Sequence, residues 1–239
     1  MTNVIHKILI FVFFFNIFFC TGAVALSFDE KYVEGGITYN GDIGFTPSFL
    51  SGYALYSMVN ENFEIIAATK ASVKDVQLTG VFIFWPYIKG NLKLGVDASY
   101  NIDWYPGISL ANHLLAGGVL QWSPCWWYKN NFDFNFMLKE RTIFSLSDTT
   151  PLLWNYSFAI SLLHTFFIGN GFYLKHCIAT YEMFRHMILC APTFSFAVGY
   201  CLKDKWFLET CLNIRYTDFF SLSAYYEDSE ININVRYKF

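Results

Sequence analysis

Beyond its first 25 positions, apolar and polar residues alternate through most of this chain. In residues 91–103, Leu92, Leu94, Val96, Ala98, Tyr100 and Ile102 share one face. Asn91, Lys93, Gly95, Asp97, Ser99, Asn101 and Asp103 share the other. In 131–139, Phe132, Phe134, Phe136 and Leu138 oppose Asp133, Asn135, Met137 and Lys139. Residues 193–202 and 206–216 repeat the pattern, the latter setting Trp206, Leu208, Leu212 and Ile214 against Glu209, Cys211, Asn213 and Arg215. Strict alternation over such lengths is the period of a β-strand, because successive side chains leave a strand on opposite faces.

Thirteen such runs of about ten residues can be traced, separated by turn chemistry such as Lys89-Gly90-Asn91, Tyr105-Pro106-Gly107, Gly169-Asn170-Gly171 and Asp228-Ser229. Ten residues suffice for a tilted strand to cross a bilayer. The apolar faces are loaded with Phe, Tyr and Trp rather than aliphatics. That suits a lipid-facing surface with aromatic girdles better than the core of a soluble sandwich. Lipid offers no hydrogen bonds, so a spanning sheet must close on itself. The expected fold is therefore all-β: an antiparallel transmembrane β-barrel. Barrels with both ends on one side need an even strand count. Twelve strands are expected, with ten or fourteen as alternatives, and the surplus run is expected within the least regular stretch, 41–72. A helical reading of Leu152–Ile168 is opposed by Asn155, Ser157, Ser161 and His164, which interrupt it at alternate or near-alternate positions.

Composition supports this class. The chain is 54% hydrophobic, 21% aromatic and only 15% charged, against about 25% charged in an average soluble domain. The net charge of −3 shows no basic excess of the kind nucleic acid requires. Residues 1–25 combine Lys7, an apolar run from Ile8 to Phe19 and Ala23-Val24-Ala25, the three parts of a cleaved secretory signal peptide. The mature chain, 26–239, is then one domain. It keeps Cys125, Cys177, Cys190, Cys201 and Cys211, an odd number without a CxxC motif, so these read as small apolar fillers with room for one disulfide. No metal-ligand spacing or phosphate loop occurs, and no cofactor is expected.

The chain ends in a strand pattern: Ile231, Ile233, Val235, Tyr237 and Phe239 alternate with Asn232, Asn234, Arg236 and Lys238. This tail resembles the C-terminal assembly signal of bacterial outer-membrane β-barrel proteins, in which a terminal aromatic follows alternating apolar residues. The resemblance implies residence in the outer membrane, contact with its lipids, and recognition by the barrel-assembly machinery. Chain size and strand number resemble the small twelve-stranded porins and the outer-membrane phospholipases.

The inward faces carry Lys93, Asp97, Asp103, Asp133, Lys139, Arg141, Glu209, Arg215, Arg236 and Lys238. Rings of like charge set pore selectivity, and this lining mixes signs. Two readings stay open: charges that pair across the lumen to brace the barrel, and a weakly selective channel for small polar solutes. The expected role is a small porin-like channel or a structural surface protein, and not an enzyme. The alternatives are a lipid-modifying hydrolase and an adhesin or ligand-binding barrel. A hydrolase would need a serine activated by His113, His164, His176 or His186, and no His-x-Ser-Asn segment is present. An adhesin would need long loops, for which 40–50 is the sizeable candidate. Cys125-Trp126-Trp127-Tyr128 reads as an interfacial aromatic cluster or a stacking platform.

Overall fold

A computed structural model describes residues 29–41, 50–72, 75–105, 107, 109–143, 152–182, 185–186, 192–216 and 226–239. The strands are β1 (Glu30–Gly41), β2 (Leu50–Val59), β3 (Phe63–Ser72), β4 (Val76–Lys89), β5 (Leu92–Tyr105), β6 (Ser109–Cys125), β7 (Tyr128–Ile143), β8 (Leu152–Gly169), β9 (Phe172–Ala179), β10 (Tyr181–Glu182), β11 (Arg185–His186), β12 (Thr193–Leu202), β13 (Trp206–Tyr216) and β14 (Tyr226–Lys238). Twelve of them close an antiparallel barrel in the order β1-β14-β13-β12-β9-β8-β7-β6-β5-β4-β3-β2. β10 and β11 form a two-residue ladder outside it, between β9 and β12.

Closure is made by the tail. β14 pairs along its length with β1, from Tyr32 opposite Lys238 to Gly41 opposite Ser229, and on its other side with β13. The Phe239 N–H donates to the Lys31 carbonyl at 3.0 Å. No barrel strand is left with an unpaired edge, which is the condition for crossing lipid.

At one end the strands join through tight turns, and the sequence encodes them. Gly90, Asn170 and Gly171 hold φ of 55°, 53° and 83°, the left-handed conformation that Gly and Asn adopt most readily. Pro86 and Pro124 lack a ladder N–H and fall where the β4–β5 and β6–β7 registers slip, at bulges that tolerate the loss. β8 runs from Leu152 to Gly169, so the segment nearly apolar enough for a helix is a strand.

Exposed large apolar side chains cover the outer surface, among them Val96, Phe134, Phe158, Phe196, Leu208 and Ile233. Near the tight-turn end it carries Trp122, Trp127, Phe172, Trp206 and Phe239; towards the opposite end stand Tyr39, Tyr100 and Tyr156. In the tail, Ile231, Ile233, Val235 and Phe239 all point outward. Tyr237 lies between Trp206 and Phe239, with ring centroids 4.7 and 5.1 Å away. A surface this apolar is solvated by acyl chains, with the rings at the interfaces.

Two expectations need correction. Residues 41–72 hold no surplus run, since 50–59 and 63–72 are regular barrel strands. The surplus is 219–226: Tyr226 opens β14, and the remainder lies outside the described residues. Asp228-Ser229 is not a turn but part of β14, opposite Arg215 and Ile214, because the buried partners of Glu230 hold this stretch in the sheet. The proposed signal peptide, 1–25, and loop residues 42–49 lie outside the described residues. No disulfide joins Cys125, Cys177, Cys201 and Cys211 to one another, and Cys190 is not described.

Candidate functional site in the barrel lumen

Strand parity decides which side chains enter the lumen. The register places Lys93, Asp97 and Asp103 of β5, Asp133 and Lys139 of β7, Glu209 and Arg215 of β13, and Arg236 and Lys238 of β14 on the face opposite the apolar exterior; the Arg141 side chain lies outside what the structure describes. They do not form one cluster. Asp97 accepts a hydrogen bond from Asn135 Nδ2 at 2.9 Å, and His113 Nε2 lies 3.1 Å from Asp103 Oδ2. Arg215 Nη2 donates to Glu230 Oε2 at 2.8 Å, and Lys70 Nζ reaches the other oxygen of that carboxylate at 3.2 Å. Arg236 Nε donates to Glu34 Oε2 at 2.5 Å; Tyr53 Oη donates to the other oxygen, Oε1, at 2.6 Å. Lys175 pairs with Glu209 at 2.5 Å, and Lys238 with Glu30. Lys139 lies opposite His113 and Asn155, and Arg141 opposite Ala111 and Leu153.

Seven lumen charges were missed by the sequence reading: Glu30, Glu34, Glu64, Lys70, Lys129, Lys175 and Glu230. β3 carries Glu64 and Lys70 within EIIAATKAS, whose central Ile-Ile-Ala-Ala does not alternate. Lys129 and Glu230 stand beside turn-like residues. Pairing each strand with its neighbour would have found Glu230, because Arg215 needs a buried counter-charge.

The lumen has two levels. Away from the tight turns, inward side chains are shut off from water. Arg215, Leu115 and Asn135 are 0% exposed, His113 and Thr38 1%, and Asn101 2%. Every barrel strand contributes at least one buried residue, and Leu115, Met137 and Ala159 make an apolar cluster here. Towards the tight-turn end, a cavity of about 470 Å³ opens between β3, β5 and β7. Charged groups including Glu64, Lys93, Lys129 and Asp133 line it, with Ile66, Ile83, Trp85 and Val119 as an apolar wall. A second cavity of about 270 Å³ lies beside Tyr53, Lys70 and Asn232. Leu55 and Arg236 line both cavities, so the Arg236–Glu34 pair stands at their junction.

On the outer face, Trp127, Tyr128, His164, Phe166 and His176 border a shallow hollow. His164 Nδ1 is 2.7 Å from Tyr128 Oη and 3.2 Å from Asn130 Nδ2, and its ring stacks on His176 at 5.8 Å. Among the described residues, no serine hydroxyl hydrogen-bonds either ring. Trp126 and Trp127 occupy the tight turn after Cys125, exposed at the membrane interface.

No family model matches the chain, and no curated protein does. Solved structures do share its fold. The NanC porin superposes with a TM-score of 0.59 at 8% identity, covering 87% of this chain and 100% of its own. The KdgM porin gives 0.57 at 7%, covering 87% and 99%. An outer membrane channel from Pseudomonas putida F1 gives 0.54 at 10%, covering 90% and 97%.

Proposed function

We propose that this chain is a small outer-membrane channel through which polar solutes of low molecular weight diffuse. The carrying observation is the cavity of about 470 Å³, lined by charges of both signs, inside a barrel whose exterior is apolar. Such an interior has no use to a protein that only needs to be solvated by lipid, because charge inside a barrel tunes passage rather than anchoring. The fold shared with NanC and KdgM supports the reading. A structure of KdgM carries a disordered oligogalacturonate, and that protein is a porin for which an acidic sugar is a ligand. Here the mixed lining argues against a single-sign anion path.

Residues 1–25 direct export and are removed, and the Ile231–Phe239 strand is the feature the assembly machinery reads. The lumen residues divide by partner: Arg215 and Asp103 brace the walls, while Lys93 faces the solute. Side chains at the level of Arg215 and Leu115 are packed and buried, so the bore is narrow there and the unit conductance small. The test is single-channel recording from the refolded mature chain in planar bilayers. Discrete steps, reduced by neutral solutes small enough to enter the cavity and not by larger ones, support a channel. Silence at all voltages rejects it and leaves a closed structural barrel.

A further inference from the structure

We infer that the larger lumen cavity is a binding site for a small zwitterion with an apolar side chain, of the class of free aromatic or branched α-amino acids. This rests on the channel reading and specifies its solute. Of the six charged residues lining the cavity, Arg236 is matched by Glu34 and Glu30 by Lys238, and Asp133 is also engaged. Glu64, Lys93 and Lys129 are different. All three line the cavity, and among the described residues none has a hydrogen-bonding or ion-pair partner. Lys93 rests instead over the Trp85 ring, 5.9 Å from its centroid. Two ammonium groups and one carboxylate thus face a common space without direct contact. A solute that brings one carboxylate to the lysines and one ammonium to Glu64 satisfies all three at once.

The wall beside Glu64 specifies the rest. Glu64 pairs across the ladder with Ile83, and Ile66 pairs with Val81 on the same face. Trp85 and Val119 extend this surface and are 6% exposed each. An ammonium held at Glu64 therefore lays its side chain along aliphatic and indole surface. A volume of about 470 Å³ falls within the range of small-molecule pockets, roughly 300–1,000 Å³. A sugar acid would leave Glu64 unmatched and wet the apolar wall. A hydrocarbon would leave three charges desolvated without partners.

The experiment uses the refolded mature chain and four probes: L-phenylalanine, 3-phenylpropionate lacking the ammonium, phenethylamine lacking the carboxylate, and glycine lacking the side chain. Equilibrium dialysis on the protein in detergent measures binding whether or not the barrel conducts. L-Phenylalanine is expected to bind saturably and about tenfold or more tightly than each of the other three, the scale of one lost charged hydrogen bond. Glu64→Gln should abolish the preference over 3-phenylpropionate, and Lys129→Gln should weaken the three carboxylate-bearing probes while sparing phenethylamine. Equal binding of the four probes, no binding at all, or an unchanged preference in Glu64→Gln overturns the inference. Conductance without these preferences leaves the channel standing and the amino-acid site refuted. Saturable binding with these preferences in a silent barrel keeps the site and rejects the channel.

Discussion

The buried carboxylate of Glu230 provides a direct measurement of how the lumen braces the barrel. Its two oxygens are divided between Arg215 at 2.8 Å and Lys70 at 3.2 Å, and the Arg215 and Glu230 side chains are 1% and 6% exposed. Replacing Arg215 with Met keeps the volume and removes the charge. Breaking a buried pair by deleting one partner costs about 3–5 kcal/mol. Lys70 remains as a counter-charge and is 14% exposed, which places the expected loss at the lower end, about 3 kcal/mol. That is roughly a 150-fold shift in the folding equilibrium. The assay is reversible urea unfolding in phospholipid bilayers followed by tryptophan fluorescence. Glu230→Gln in the Arg215→Met background removes the stranded anion, so the double variant should regain about 1–2 kcal/mol relative to additivity. An Arg215→Met variant within about 0.5 kcal/mol of the parent, or strict additivity of the two changes, refutes the bracing argument.

Other positions test other layers of the structure. Phe134 faces outward in mid-strand, opposite Gly118 and Ile160, and Phe134→Lys should cost about 2–4 kcal/mol in the same unfolding assay. A Cβ on Gly199 would overlap the Tyr173 ring that lies across it, so Gly199→Ala should destabilise by about 1–3 kcal/mol, with the loss relieved by Tyr173→Leu. Phe239 is 67% exposed at the end of β14, so deleting it should barely change unfolding in vitro yet sharply lower the amount of folded barrel inserted in cells, read by heat-modifiable gel migration. Leu115→Ala opens space beside Met137 and Ala159; it should cost about 2–5 kcal/mol and raise single-channel conductance.

The barrel could be read from the chain because the lipid exterior imposes a period-two rule on half of every strand. The lipid-facing halves of β5, β7, β13 and β14 obey it almost without exception, and every inward charge identified from sequence lies on one of these strands. The rule weakens where the lumen wall is itself apolar. In β3 and β4, Ile66, Val81 and Ile83 point inward as apolar residues do elsewhere outward, so parity carries no contrast there. That is why 41–72 looked irregular and why Glu64 and Lys70 escaped notice. Turn chemistry failed at Asp228-Ser229 for a related reason. Local preference for a turn is worth little against an ion pair that needs Glu230 to stay in the sheet. Partner identity across the lumen is a property of closure, which no single strand encodes.

Charge pairing divides the lumen along the barrel axis. In the buried belt, three contacts tie polar side chains across strands: Arg215 to Glu230, Asn135 to Asp97, and Thr38 to Asn232 at 2.5 Å. At the tight-turn end, Glu64, Lys93 and Lys129 remain without direct partners. All three border the cavity, where a solute that enters it can reach them. The belt fixes the wall, and the wall holds three charges around one cavity without direct contact between them. Stability and recognition are thus assigned to different heights of one barrel, which is why variants at Arg215 should act on unfolding and variants at Glu64 on solute preference.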